Sequence, residues 1–419
     1  MTPGKEKTIA VIGAGIIGVT LARRLQREGW RVLLIDASEP GMGASFGNAG
    51  FIATDEILPL SHGISFGAVL KMLLNPMAPL TIRWQNFFSL IPWFWKFLKA
   101  TRPNPMAKSA AALAALQSGA LAAWNKTIRE EALTPHVRRN GAMIVFETEK
   151  GFTQESAKFP FLDQHEIEYL VISGDQAREM IPELGPNITK AIYYPNGLHI
   201  TDPLKVTKQI HDNFTRQGGQ AIVDRISRFE TKDGKLQALL GSKDAYKVDA
   251  AVLAAGHQSG DLLKTLGITV PLATERGYHV IVDHPPLKFD MTFGSHERGF
   301  FITPMADGLR LAGTVEFAPA GREFSENWKR AEILKIYVEK LIPGIAGKET
   351  SRWMGHRPTL PDFLPCLGKV PDLENLYLSF GHQHLGLTLA PVCAEIICNL
   401  VTTGKTALDI SPFDIQRFQ

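Results

Sequence analysis

The start of the chain sets a strand-length apolar run beside a helical pattern. Residues 8–13 form a continuous apolar run, and from 16 to 28 apolar positions recur at helical spacing until Gly29 ends them. A second buried-strand pattern covers 31–35 and closes on Asp36, and residues 38–50, rich in Gly, Ser, Ala and Asn, predict a loop. Between 55 and 105, prolines at Pro59, Pro76, Pro79, Pro92, Pro103 and Pro105 interrupt bulky apolar residues. One long helix is predicted over 107–132, and strands near 141–147, 168–172 and 190–194. A further helix is expected over 203–217 with Asp202 as its N-cap.

The pattern then turns to strands over 221–223, 225–231, 236–241 and 246–254, with Asp233-Gly234 as a hairpin turn. Strand-like segments continue through 269–316. A helix follows over 328–342, a short strand over 376–379 and a last helix over 386–401. Alternating α/β elements at both ends bracket a β-rich middle, which predicts a discontinuous nucleotide-type domain with a second domain inserted into it.

Composition narrows the class. A chain of 419 residues is long enough for two or more domains. Its 45 basic and 42 acidic side chains leave a net charge of +3, too even for a nucleic-acid footprint. The cysteines are Cys366, Cys393 and Cys398, odd in number and without a C-x-x-C pair, so neither a disulfide framework nor a zinc site is expected. No signal-peptide pattern precedes the first strand, so the expected location is cytoplasmic.

The chemistry begins at Gly13-Ala14-Gly15-Ile16-Ile17-Gly18. A diphosphate needs donors without bulk between them. Gly13 permits the tight turn, Gly15 lets the backbone approach the phosphates, and Gly18 lets the helix pack close to the sheet. The helix N-terminus adds free N–H groups and a positive dipole end. Alone this spacing is weak. Here it follows a strand, opens a helix and is answered by Asp36 at the end of the next strand, where a ribose-binding acid belongs. That acid disfavours a 2′-phosphate, hence NADP. The strand entering Ala255-Gly256 and the turn-plus-helix from Gly381 enclose a cofactor further and favour FAD.

These segments carry a resemblance. With Gly43–Gly50, Tyr194–Gly197, Asp202-Pro203, Gly355–Pro358 and Gly381–Thr388, the chain resembles the FAD-dependent amine and D-amino-acid oxidoreductases, the family of D-amino-acid oxidase, glycine oxidase and sarcosine oxidase, in its bacterial D-amino-acid dehydrogenase branch. The resemblance implies an α/β fold: a Rossmann-type FAD domain (1–54, 198–265, 350–419) plus a substrate domain with a mixed antiparallel sheet and helices (55–197, 266–349). It implies hydride transfer from a C–H beside an amine to flavin N5. Asp36, with Ala37 and Ser38, would face the ribose, and Ala44 and Ser45 the diphosphate. Asn48, Ala49, Gly50, Phe51 and Ile52 would run along the isoalloxazine, and the Val223 backbone would meet the adenine. Gly381, His382, His384, Leu385, Gly386, Leu387 and Thr388 would present a helix N-terminus to the flavin N1/C2=O edge, where reduction adds negative charge. Members of sarcosine-oxidase type attach FAD through a cysteine. The loop-like setting of Cys366 makes non-covalent FAD the expectation here.

An amino-acid substrate needs a carboxylate anchor, and an arginine fork suits it. By the resemblance Arg357 is the first candidate, at both flavin and substrate, against a structural role bridging two domains. Arg276 is second, against a solvated strand end. Tyr278 and His279 are expected to line the cavity or to pack beside it. His382 and His384 form an i, i+2 pair without a carboxylate or cysteine, so no metal is expected. Hydride loss from a neutral amine requires no protein base.

Last, residues 87–95 hold nine uncharged, mostly aromatic and aliphatic positions flanked by Arg83, Lys96, Lys99 and Arg102, too few to span a bilayer. Residues 84–102 are either a packed helix, or a peripheral membrane contact on the inner face of the cell membrane beside a quinone-type electron acceptor, or a partner surface. The rival readings are an oxidase of glycine or sarcosine type using oxygen, a non-catalytic FAD-bearing subunit, and oxidation of a 2-hydroxy acid.

Overall fold

The computed structural model describes residues 7–53, 55–58, 78–83, 87–284, 286–320, 324–345 and 347–418. Of the expectations above, Pro59, Pro76 and the first part of the 84–102 segment, residues 84–86, lie outside the described residues.

Five parallel strands and one antiparallel edge make the first sheet, in the order Gln220–Val223, Arg31–Asp36, Thr8–Ile12, Ala250–Leu253, Leu376–Phe380, Cys366–Lys369. Its central strands are apolar on both sides because both faces are covered. Ile9 and Val11 point into a core with the helices Ile16–Arg27, Pro203–Arg216 and Gly386–Thr403. Ala10 and Ile12 point the other way, onto a three-stranded antiparallel sheet that contributes Phe229, Leu236 and Leu239. The chain leaves Thr8–Ile12 toward one side and later returns on the other. A crevice therefore opens at the carboxyl ends of Thr8–Ile12 and Ala250–Leu253, the place where α/β sheets receive ligands.

Among the described residues the second sheet has nine strands: Glu349–Thr359, Ala273–Val282, Gly308–Pro319, Phe300–Met305, Thr292–Ser295, Ala142–Phe146, Lys190–Tyr194 and Leu170–Ser173 in order, with Leu80–Ile82 beside Gly308–Pro319. It is mixed, since Thr292–Ser295 runs parallel to Ala142–Phe146 and Leu80–Ile82 runs parallel to Gly308–Pro319, while the other pairs are antiparallel. The helix Lys329–Leu341 packs on one face through Leu334, Val338 and Leu341. The fold is thus α/β, a Rossmann-type nucleotide sheet joined to a mixed sheet.

Local signals act as their chemistry requires. Asp202 caps its helix, accepting from the Lys205 N–H at 2.9 Å. Asp233 and Gly234 both have positive φ (50° and 71°), as a two-residue hairpin turn demands. Three expectations need correction. The single helix over 107–132 is two, Pro103–Gln117 and Ala120–Glu130, because the chain breaks at Ser118-Gly119 where Val392 of the last helix comes close. Both helices belong to the nucleotide-side core, through Leu113, Leu116, Ala123 and Trp124, although residues 55–197 were assigned to the substrate side. Conversely Glu349–Thr359 pairs along its length with Ala273–Val282, so residues 350–359 join the large sheet.

Candidate active site

The crevice between the two sheets is a cavity of about 470 Å³ that runs from Asp36 to Arg357. At its first end the strand Thr8–Ile12 turns into the helix Ile16–Arg27. Gly13 sits at φ +108°, and a Cβ there would strike the Ala254 carbonyl. A Cβ at Gly18 would strike the Gly13 carbonyl, so strand and helix meet closely only because both positions are glycine. The helix has Gly15 as its N-cap and no side-chain cap, which leaves amide groups facing the cavity beside Ile16 and Ile17. Ser45 Oγ accepts from the Ile16 N–H at 2.9 Å, fixing the 41–50 loop against the helix terminus.

Asp36 accepts from the Ala14 N–H at 2.6 Å and from the Ser38 N–H and hydroxyl at 2.9 and 3.0 Å. It lines the cavity with Ala37 and Ser38, and its carboxylate ties turn and strand end together. Ala44, Ala49 and Phe51 continue the lining, and so do Ala255 and Gly256 on the opposite lip.

Three contacts that sequence reasoning missed hold the loop that would face the isoalloxazine and the Leu387-Thr388 turn beside it. Arg310, a buried charge in the apolar strand Gly308–Pro319, donates to the carbonyls of Phe46 (3.3 Å) and Asn48 (2.7 Å). Thr388 Oγ1 accepts from the Ala53 N–H at 3.1 Å. Trp124 Nε1 donates to the carbonyls of Leu387 and Thr388 at 3.0 and 3.1 Å. A lone arginine among Leu309, Leu311 and Ala312 was the available signal for the first; nothing in an Ala-rich helix marks Trp124. Inside the loop Asn48 Oδ1 accepts from the Gly50 N–H at 2.8 Å.

At the end where the resemblance would put the flavin, Gly381, His382, His384, Leu385, Gly386, Leu387 and Thr388 all line the cavity, and the helix Gly386–Thr403 begins without a side-chain cap. His382 Nε2 and both ring nitrogens of His384 are buried without a partner among the described residues. Burial pulls both histidines down to about 3, His384 also through the Arg357 charge, so both are neutral at physiological pH. Ser379 Oγ, also lining the cavity, is unpartnered as well. Free helix N–H groups, orphaned polar atoms and a glycine cradle at the far end fit a dinucleotide cofactor. None of the three cysteines lines the cavity. Cys366 is buried, accepts from Arg417 Nη1 at 3.6 Å, and burial lifts its thiol to about 11.

The wall of the cavity at the Arg357 end is the strand pair Ala273–Val282 and Glu349–Thr359. Strand alternation divides it cleanly. Glu275, Gly277 and His279 stand opposite Arg357, Gly355 and Trp353, with Glu275, Arg357 and Trp353 lining the cavity. Arg276 and Tyr278 point to the other side, and this corrects their candidacy. The Arg276 guanidinium is fully buried, ion-paired to Glu316 and donating to the carbonyls of Phe324 and Ser325. The Tyr278 hydroxyl donates to Glu316 at 3.3 Å and accepts from the Asn327 N–H at 3.1 Å. His279 faces the cavity side but lies under it, stacked between Phe46 and Trp353 with Nδ1 3.2 Å from the Gly47 carbonyl, and burial draws it down to about 3. Val223 is half-exposed and off the lining, which passes to Asp224, Arg225 and Ile226 instead. Ala14, Gly18, Gly50 and Ile52 are likewise off the lining and serve the turn, the loop and the strand pairing.

Arg357 is different. It is half-buried, and among the described residues no hydrogen-bond acceptor or ion pair is found for its guanidinium. The fork lies directly over Gly277, where a Cβ would come within 2.7 Å of its central carbon. Its nearest counter-charge is the cross-strand Glu275, whose carboxyl burial pushes above the usual carboxylate range while Arg357 pulls it back. Glu275, Trp353, His356 and the stacked His257 were not singled out from the sequence, where nothing but register reveals them.

Comparison with known proteins agrees with this geometry. The profile of the family described as FAD dependent oxidoreductase matches residues 8–400. A D-amino-acid oxidase of Bradyrhizobium diazoefficiens is 30% identical over 417 residues, 98% of each chain. A D-amino acid dehydrogenase of Rhizobium rhizogenes is 27% identical over 419 residues, 98% of this chain and 99% of that one. Among solved structures, glycine oxidase from Geobacillus kaustophilus superposes with a TM-score of 0.77 over 98% of both chains at 20% identity, a likeness of fold. The chain therefore belongs to the FAD-dependent oxidoreductase family, whose cofactor is FAD.

Proposed function

We propose that this protein oxidises the amine-bearing carbon of a D-amino acid or of a cyclic secondary amine resembling D-proline. The observation that carries the proposal is Arg357: a guanidinium in the cavity wall, over Gly277, with no partner of its own among the described residues. A fork so placed is matched by a substrate carboxylate bound through two oxygens. The names of the Bradyrhizobium and Rhizobium relatives, an oxidase and a dehydrogenase of D-amino acids, support that substrate class.

FAD, held by the Gly13–Gly18 turn and the Gly381–Thr388 segment, would supply the two-electron acceptor for the hydride. The chain's own groups bind and orient. Arg357 holds the carboxylate end, and the neutral His384 beside it brings no competing positive charge. The loop held by Arg310 and Thr388 fixes the opposite wall. With the amine neutral, its lone pair forms the C=N bond as the hydride departs. Water then hydrolyses an acyclic imine to the 2-oxo acid and ammonia, while a cyclic imine persists. The uncapped start of Gly386–Thr403 offers amide donors to negative charge developing across the cavity. FAD is held without a covalent link, since no cysteine reaches the cavity, and the electrons pass to a quinone-type acceptor.

Anaerobic mixing of the purified flavoprotein with D- and L-amino acids, hydroxyprolines, sarcosine and 2-hydroxy acids tests this. Bleaching of the bound flavin by D-amino acids or cyclic amines is expected. Bleaching by 2-hydroxy acids alone, or by no compound, overturns it. Oxygen as acceptor is the second reading, favoured by the name of the Bradyrhizobium relative. Peroxide release in air as fast as dye reduction selects it.

A further inference from the structure

The helix Phe87–Ala100 is apolar on both sides. Its inner face is accounted for: Leu90 and Trp93 are buried, and Trp93 and Phe94 pack on Phe317 of the large sheet. Its outer face is Phe88, Ile91, Trp95 and Leu98, spaced three, four and three residues apart along one stripe, with Phe88 81% and Trp95 60% exposed. A surface helix ordinarily carries polar residues there. The charge beside this stripe has one sign. From Ile57 to Arg129 the sequence contains eight Lys or Arg and no Asp or Glu. Lys99, Arg102 and Lys108 are exposed along the end of this helix and the start of the next.

A groove of about 830 Å³ opens beside the same helix, lined by Lys96, Lys99 and Lys108. Its acids are already engaged by groups of the groove itself. Asp362 is ion-paired to Arg417 at 2.7 Å, and Asp409 accepts from the amide and hydroxyl of Ser411.

We propose that this face docks on an anionic lipid bilayer. The helix lies flat, with Phe88, Ile91, Trp95 and Leu98 sunk into the headgroup–acyl boundary and the lysine-lined groove against the lipid phosphates. Each part has a physical reason. Fourteen residues make a helix of about 21 Å, short of the roughly 30 Å hydrocarbon core, so it lies in the interface rather than across it. Tryptophan is at home at headgroup level, and basic side chains near an anionic surface strengthen binding within a Debye length. The long apolar helix Gly386–Thr403 is no rival anchor, because it forms the core of the nucleotide side. The docking face stands on its own residues and survives failure of the substrate assignment. If both hold, it brings a reduced flavin close to acceptors dissolved in the membrane.

The test is flotation of the holoprotein with vesicles of phosphatidylcholine alone and of equal parts phosphatidylglycerol and phosphatidylcholine. Wild type is expected to float with the anionic vesicles, weakly with the neutral ones, and less as salt rises. Phe88→Ser/Trp95→Ser is expected to lose at least tenfold in partitioning, and Lys99→Gln/Arg102→Gln/Lys108→Gln about a hundredfold on anionic vesicles only. Flavin spectrum and dye-linked turnover without lipid stay unchanged in both, which shows that they fold. Failure of wild type to float, or equal flotation of wild type and Phe88→Ser/Trp95→Ser, overturns the proposal. So does wild-type self-association in light scattering that Phe88→Ser/Trp95→Ser abolishes, since the face would then bind a second copy of this chain.

Discussion

The two ends of the cavity are built by different rules. The dinucleotide end is made of backbone: glycines without Cβ atoms, a helix terminus with free amides, and one carboxylate that pins the turn. Its parts lie within one βαβ unit, from Gly13 to Asp36. The Arg357 end is made of side chains on two strands that the sequence separates by some eighty residues, and which of them face the cavity is decided by register and alternation. Arg276 and Arg357 show the consequence. They are cross-sheet neighbours of the same residue type, yet one is sealed in an ion pair and the other opens into the cavity. Chemistry at a site depends less on which residue is present than on which face of the strand it occupies.

Three substitutions sharpen that contrast, taken from the largest expected effect downward. Gly18→Val forces a side chain into the Gly13 carbonyl and separates helix from strand. The expected outcome is loss of bound FAD on gel filtration and little folded protein, since the clash is with backbone that cannot retreat. Arg276→Met leaves Glu316 buried with Arg83, Tyr278 and Asn327 as partners and the Arg330 charge nearby, but without its close ion pair. A loss of about 3 kcal/mol in urea unfolding is expected, with turnover per folded molecule unchanged. A variant that folds as well as wild type but fails to turn over would put Arg276 at the substrate after all. Gly277→Ala adds one methyl group beneath the Arg357 fork. It is expected to keep FAD and stability while lowering kcat/KM for a carboxylated amine ten- to a hundredfold, about 1.4–2.7 kcal/mol of misplaced contact.

The same contrast explains what could be read without coordinates. The nucleotide half was legible because its signals are local: the Gly13–Gly18 turn, Asp36 at its distance, the Asp202 cap, the Asp233-Gly234 hairpin. Family likeness is what singles out Arg357 as a candidate, and the structure places it in the cavity wall. Strand alternation applied to Glu275–His279 would have shown that Arg276, Tyr278 and His279 cannot all line one cavity. What placed Glu275 and Trp353 there was the pairing Glu275↔Arg357 and His279↔Trp353, which no local pattern encodes. The break at Gly119 escaped for a related reason. Propensity favours a continuous helix through that Ala-rich segment, and the close approach of Val392 is a tertiary fact. Arg310 and Trp124 act on backbone carbonyls far along the chain, so they too emerge only from packing.

The central claim is that Arg357 receives the substrate's carboxylate. The most direct measurement is the anaerobic rate of flavin bleaching in wild type, Arg357→Ala and Arg357→Lys, each with a D-amino acid and with the matching amine that lacks the carboxylate. Wild type should strongly prefer the amino acid. Arg357→Ala should retain its flavin spectrum, lose about a thousandfold with the amino acid, roughly the loss of one buried charge-assisted pair, and change little with the amine. Arg357→Lys should recover only part of the loss, because a single ammonium does not replace a two-pronged donor. An Arg357→Ala protein that bleaches with the amino acid as fast as wild type would contradict the account.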